Sequence, residues 1–160
     1  MAETTGPTTG GCMCGAVRYE TTGEPTRVIH CHCKSCRKHT GAPAATMAVF
    51  QADQVRFSGE DRTPYESSPG RSRAFCGKCG TTLTWEAEHP AYGSIRALHI
   101  STFDDPEALR PSDHSFYSDR ISWFDIADDL PRYEGFVVDG VLVRHGPAPD
   151  GAPHPSSGSG

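Results

Sequence analysis

Seven cysteines fall into three tight groups: Cys12 and Cys14, then Cys31, Cys33 and Cys36 inside the run HCHCKSCRKH, then Cys76 and Cys79 in CGKCG. An odd count cannot close entirely into intramolecular disulfides. Short spacings also suit a disulfide poorly, because a bridge stabilises most across a long loop and needs a specific cross-chain geometry. Thiolate ligation of a metal suits them better. A tetrahedral zinc with bonds of about 2.3 Å needs four donors whose sulfurs sit roughly 3.8 Å apart. Gly77 and Gly80 permit the tight, positive-φ turn that lets Cys76 and Cys79 converge on one ion. In an extended chain residues i and i+2 share a face, so Cys12 and Cys14 point together and Met13 points away. Pairing Cys12, Cys14, Cys76 and Cys79 makes a closed four-sulfur structural zinc site that ties the first strand to a hairpin more than sixty residues later. Such a link contributes on the order of 10 kcal/mol at neutral pH.

That partition leaves Cys31, Cys33 and Cys36 with no fourth thiol. Structural zinc almost always takes four protein ligands, whereas catalytic zinc commonly takes three and keeps an exchangeable position. Two arrangements stay open: an exchangeable corner, or a histidine closing the site, with His39, His99 and His114 as the candidates. If Cys31 and Cys33 face the ion along an extended segment, His30 and His32 face the other way and read as supporting hydrogen bonders. An exchangeable corner on zinc either acidifies a water or holds a substrate thiol as thiolate, and three sulfur ligands favour the thiol. His30 and His114 are candidate proton shuttles, since imidazole titrates near neutrality. Lys34, Arg37 and Lys38 are candidate contacts for a carboxylate of that thiol, against the simpler role of offsetting thiolate charge.

The elements that must position these groups read as β. At 160 residues the chain fits one domain, and its 36% hydrophobic content makes a lean core for that size. Short runs of β-branched and aromatic residues between Gly, Pro, Asp and Ser predict strands near 16–21, 46–50, 55–57, 73–75, 81–85 and 95–101. A short helical turn is predicted over 33–39, with Gly41 closing it. After Phe103 the chain turns acidic and aromatic with little periodicity, which predicts a long irregular covering segment, Trp123 and Phe124 either capping the pocket or, as their type favours, plugging the core. Residues 1–9 read as a flexible tail, 10–145 as the zinc-binding domain, and 146–160 as a disordered tail whose His154 is inert.

A net charge of −5 works against the basic surface that nucleic-acid backbones require. No secretory pattern opens the chain and no apolar run is long enough to cross a bilayer, so the expected setting is the cytoplasm, where thiols stay reduced. Oligomeric state is not readable from these residues.

The runs GGCMCGAVRY, HCHCKSCRK and FCGKCGTTL resemble the glutathione-dependent formaldehyde-activating enzyme family, which also includes centromere protein V. The likeness spans about residues 10 to 135 and takes in PSDHSF at 111–116 and WFDIADDLP at 123–131. The resemblance implies a mainly β, zinc-stabilised β-tent fold built from antiparallel sheets, with two zinc ions per chain. It places a structural zinc on Cys12, Cys14, Cys76 and Cys79 and a functional zinc on Cys31, Cys33 and Cys36. It further implies carbon–sulfur lyase chemistry on a small thiol, such as forming or cleaving S-hydroxymethylglutathione from formaldehyde and glutathione. The rival reading is a noncatalytic zinc-binding scaffold or interaction module. A nucleic-acid binder, suggested by the centromere relative, is disfavoured by the acidic balance.

Overall fold

The computed structural model describes residues 7–138 and 140–143. The tail expected over 146–160, with His154, lies outside the described residues, as do residues 1–6. Within the described part, the first element is already a strand, β1 (Thr8–Gly11), followed by β2 (Arg18–Thr21), β3 (Arg27–Cys31), α1 (Lys34–Thr40), β4 (Ala45–Gln51) and β5 (Val55–Ser58). Then come β6 (Arg62–Ser68), β7 (Arg71–Cys76), β8 (Thr82–His89), β9 (Gly93–His99), β10 (Asp113–Ser115), β11 (Phe136–Val138) and β12 (Val141–Val143).

Seven strands form the central sheet in the order β10-β3-β4-β9-β8-β7-β6; β1, β2 and β5 form a second sheet, and β11 and β12 a hairpin. All the pairings are antiparallel except β10 with β3. The parallel strand docks through Asp113, whose buried carboxylate takes an ion pair from Arg27, while the Arg27 guanidinium also bonds the Val137 carbonyl. One arginine at the start of β3 thus ties three chain segments together.

Side chains alternate across a strand, and here both faces of the central sheet are covered. Ile29, Cys31, Met47, Val49, Trp85, Ala87 and Ala97 share one buried face with Phe136 of the hairpin. Val28, Ala48, Phe50 and Leu98 pack on the other against Tyr19, Val55 and Phe103. A third, smaller cluster of Cys12, Val17, Cys76 and Leu83 lies beneath the first cysteine group.

All six expected strands are present, though 95–101 ends at His99 and passes into a 3-10 turn at Ile100–Thr102. Cys12 and Cys14 do not lie on a strand: they sit in the turn that follows β1, closed by the Gly15 N–H on the Cys12 carbonyl at 3.1 Å. Met13 points away as expected, 92% exposed. The segment after Phe103 is mostly irregular, and β10 is its one stretch added to the central sheet among the described residues. Trp123 does not plug the core; it is 77% exposed, and Phe124 is half-buried. No helix among the described residues is long and apolar enough to cross a membrane.

Phe50 is fully buried at the heart of the second face, so Phe50→Ala is expected to lower unfolding free energy by about 3–5 kcal/mol. Tyr65→Ala, on the exposed edge strand β6, is expected to change it by less than ~0.5 kcal/mol. Urea denaturation at matched metal loading measures both.

Candidate metal centre and adjoining cavity

Cys76 ends β7 and Cys79 lies in the turn to β8, closed by the Gly80 N–H on the Cys76 carbonyl at 2.8 Å. Gly80 takes the positive φ of 80° that this turn demands; Gly77 does not, and its role is steric, since a Cβ there would lie 2.7 Å from Thr63 Oγ1. The N–H groups of Lys78 and Cys79 both donate to Cys76 Sγ at 3.4 Å, and the Val17 N–H donates to Cys12 Sγ at 3.2 Å. Thr81 lowers the Cys79 thiol to about 5 through its hydroxyl and its amide, favouring the thiolate that binds metal.

Four sulfurs converge from these two turns. Cys12 and Cys14 stand 3.6 Å apart, and Cys14 and Cys76 3.9 Å. Those separations are far longer than the ~2.05 Å of a disulfide, and all seven cysteines are free. They match the ~3.8 Å edge of a sulfur tetrahedron around zinc. By donor chemistry and spacing, the four residues fit that ion.

The second group is built differently. Cys31 closes β3, Cys33 is the N-cap of α1 and accepts the Cys36 N–H at 3.3 Å, and Cys36 sits in the first helical turn. Gly41 closes the helix in the left-handed region, its N–H on the Arg37 carbonyl. All three thiols are buried, and their sulfurs lie within 4.8 Å of one another. Among the described residues no histidine, carboxylate or further cysteine joins the trio; His39, His99 and His114 stay outside it. Contacts from Cys31 and Cys33 hold the Cys36 thiol well below the usual range, and Arg73 adds to this by donating from Nη1 to Cys36 Sγ at 3.5 Å. Arg73 itself is 5% exposed, with its Nε on Ser67 Oγ at 3.3 Å.

A cavity of about 30 Å³ opens on the trio, with walls of Ile29, Met47, Trp85, Phe116 and Phe136. Its polar lining comes from Ser35, Ser67, Ser68, Arg71 and Arg73. None of Lys34, Arg37 or Lys38 lines it. Arg37 is occupied elsewhere, donating to the carbonyls of His32 and Asp119 at 3.1 Å each. Sequence reasoning passed over Arg71 and Arg73, although a signal was there: they alternate on the strand that runs into C-x-x-C, and so share one face.

His30 and His114 do not line the cavity either. Alternation along β3 turns His30 to the opposite face, where its Nδ1 meets Thr46 Oγ1 at 2.8 Å and its ring lies 4.9 Å from that of His114. His114 is fully buried; its Nε2 meets Asp128 at 3.0 Å, and its Nδ1 shares a hydrogen bond with His32 Nε2 at 2.8 Å. Burial and the neighbouring imidazoles push His32 down to about 4, so it is neutral at physiological pH. His30, His114 and Asp128 are close enough to share a cation by residue type, but Arg132 already supplies that charge, with Nη1 3.1 Å from Asp128 Oδ1. The cluster latches the irregular segment onto β3. Asp128→Ala is expected to cost about 1–3 kcal/mol by leaving buried His114 without its acceptor. Its exposed neighbour, in Asp129→Ala, should shift stability by less than ~0.5 kcal/mol in the same urea titration.

A family model described as glutathione-dependent formaldehyde-activating enzyme matches residues 7–119. A Schizosaccharomyces pombe protein named as an uncharacterized lyase is 34% identical over 74 residues, which are 46% of this chain and 53% of that one. The chain thus matches about half the length of that relative. The crystal structure of a Rhodobacter sphaeroides protein superposes with a TM-score of 0.52 over 78% of this chain and 98% of its own, at 18% identity, a likeness of fold.

Proposed function

The chain belongs to the glutathione-dependent formaldehyde-activating enzyme family, and from that premise we propose that it is a zinc-dependent carbon–sulfur lyase acting on a small thiol and its carbonyl adduct. The observation that carries this reading is the buried trio of Cys31, Cys33 and Cys36, which lines a cavity and takes no fourth side-chain ligand among the described residues. Cys12, Cys14, Cys76 and Cys79 would hold a structural zinc, and the trio a functional one. Zinc at the trio supplies a soft Lewis acid that favours the thiolate form of an incoming thiol.

This chain's own residues account for the rest. Arg73 offsets the negative charge of three clustered sulfurs and fixes the orientation of Cys36. Trp85, Met47 and Phe136 keep the reacting atoms out of bulk water. The reaction is an addition and its reverse: a sulfur–carbon bond forms as the carbonyl π bond breaks, and the thiol proton ends on the former carbonyl oxygen. It needs no oxidant. Hydroxyls of Ser35 and Ser67 line the cavity beside the trio and are available to that oxygen. Glutathione with formaldehyde, giving S-hydroxymethylglutathione, is the pair the family's name supplies. Seven free thiols suit a reducing compartment, so we place the protein in the cytoplasm.

Metal analysis tests the division of labour. The parent chain is expected to carry about two zinc ions; Cys36→Ser should fall towards one with the fold retained, whereas Cys79→Ser should unfold the domain. Cobalt substituted for zinc should then change its visible absorption when a thiol is added to the parent and not to Cys36→Ser. Equal structural damage from both substitutions, or a parent spectrum indifferent to thiols, would show that the trio is a second structural site and the protein a scaffold.

A further inference from the structure

The two arginines of the cavity are used unequally. Arg73 is engaged on Ser67 Oγ and Cys36 Sγ. Arg71 enters no salt bridge among the described residues, and its Nε is buried without a hydrogen-bond partner. Ser68 Oγ is buried and unpartnered too. A buried donor left unmade costs about 1–3 kcal/mol, so two of them lining one cavity are groups in wait of an acceptor.

Their placement is set by the β6–β7 hairpin. Ser68 and Arg71 are direct partners across its two-residue turn, and so present side chains to the same face. Arg71 stands two positions from Arg73, about 7 Å along the strand, and Arg73 touches the thiol trio. An acceptor seated on Arg71 and Ser68 therefore lies within a short side chain's reach of Cys36. The space between has apolar walls in Trp85 and Phe136, and its 30 Å³ holds about two waters. That suits a short methylene connector and not a tripeptide.

Resting on the reading of the trio as a thiol-receiving site, we propose that Arg71 and Ser68 form a carboxylate seat, and that the preferred thiol is a short thiol acid whose carboxylate lies a few bonds from its sulfur. Arginine suits this because its planar fork meets a carboxylate through two parallel N–H bonds and keeps its charge at any working pH. Glutathione carries its carboxylates far from sulfur, so it leaves the seat unfilled.

Three thiols with the same two-methylene connector separate the possibilities on cobalt-loaded protein: 3-mercaptopropionate, neutral 2-mercaptoethanol and cationic cysteamine, compared at equal thiolate concentration. The expected result is an apparent Kd for 3-mercaptopropionate about 10-fold or more below that of 2-mercaptoethanol, the scale of one charge-assisted hydrogen bond. Cysteamine should bind weakest, and glutathione no tighter than 2-mercaptoethanol. Arg71→Gln should erase the preference at unchanged cobalt content, and Ser68→Ala should reduce it. Equal affinities for the three thiols, tighter binding of glutathione than of 3-mercaptopropionate, or equal weakening of all three by Arg71→Gln would overturn the seat while leaving the thiol reading intact. No spectral response to any thiol would overturn both.

Discussion

Alternation along a strand buried on both faces is the constraint from which the rest of this structure follows. β3 contributes Ile29 and Cys31 to one side of the central sheet and Val28 and His30 to the other. A slip of one residue in its pairing with β4 would exchange the two sets, carrying a thiol into a region of stacked imidazoles and an imidazole into the thiol cavity. Register is therefore specified by chemistry as well as by packing. The flanking strands obey the same rule, since Met47, Trp85, Arg73 and Arg71 all fall on the face that carries Cys31.

This explains what was legible in the sequence. Cysteine spacing is a local signal, so the three short runs were readable from the chain alone, and the fold brings their sulfurs together in two groups, although Cys12 and Cys14 lie in a turn and not on a strand. Strands with β-branched or aromatic alternation, such as β4 and β9, were readable for the same local reason. Among the elements not expected, β3, β11 and β12 do carry such residues, in Val28–Ile29 and in the runs 136–138 and 141–143, but are too short to stand out, whereas β1, β6 and β10 lack the signal. β1 is Thr-Thr-Gly-Gly, and β6 is polar with Pro64 inside it, which is tolerated because β6 is an edge strand. β10 is three residues held by the buried Asp113–Arg27 pair, a contact between positions 86 apart in the chain that no window of sequence displays. Arg71 and Arg73 reach the cavity through strand pairing across the sheet, whereas the basic cluster beside Cys36 does not line it, Arg37 being spent on the carbonyls of His32 and Asp119.

The histidines show a second use of the same alternation. His114 lies between His30 and His32 in an array of rings, and its Nε2 is held by Asp128, which Arg132 holds in turn. Imidazoles are flat packing groups with directional edges, so they fasten the irregular segment to β3 through ring contacts and hydrogen bonds, and burial keeps His32 neutral among them. The covering segment needs such latches because it has few backbone ladder bonds of its own beyond β10.

Both cysteine groups are shaped by backbone N–H groups aimed at sulfur: Val17 on Cys12, Lys78 and Cys79 on Cys76, Cys36 on Cys33. The sulfurs are thus oriented by the fold, and the two groups differ in what surrounds them. Cys14 and Cys79 are exposed, while Cys12 and Cys76 of the same group are buried. Cys31, Cys33 and Cys36 are buried, with one guanidinium against them and apolar walls around. Burial opposes charge on three clustered thiols: Cys33, Cys36 and burial push Cys31 up, while Cys33, although Cys31 pulls it down, is pushed up by Cys36 and burial. Of the three only Cys36, in contact with both and beside Arg73, is held down. The first group differs in keeping two of its four sulfurs, Cys14 and Cys79, at the surface. Enclosing the second group behind Trp85, Phe136 and the β6–β7 hairpin makes sense where access itself must be controlled, which is the requirement of a site that receives and releases a small molecule.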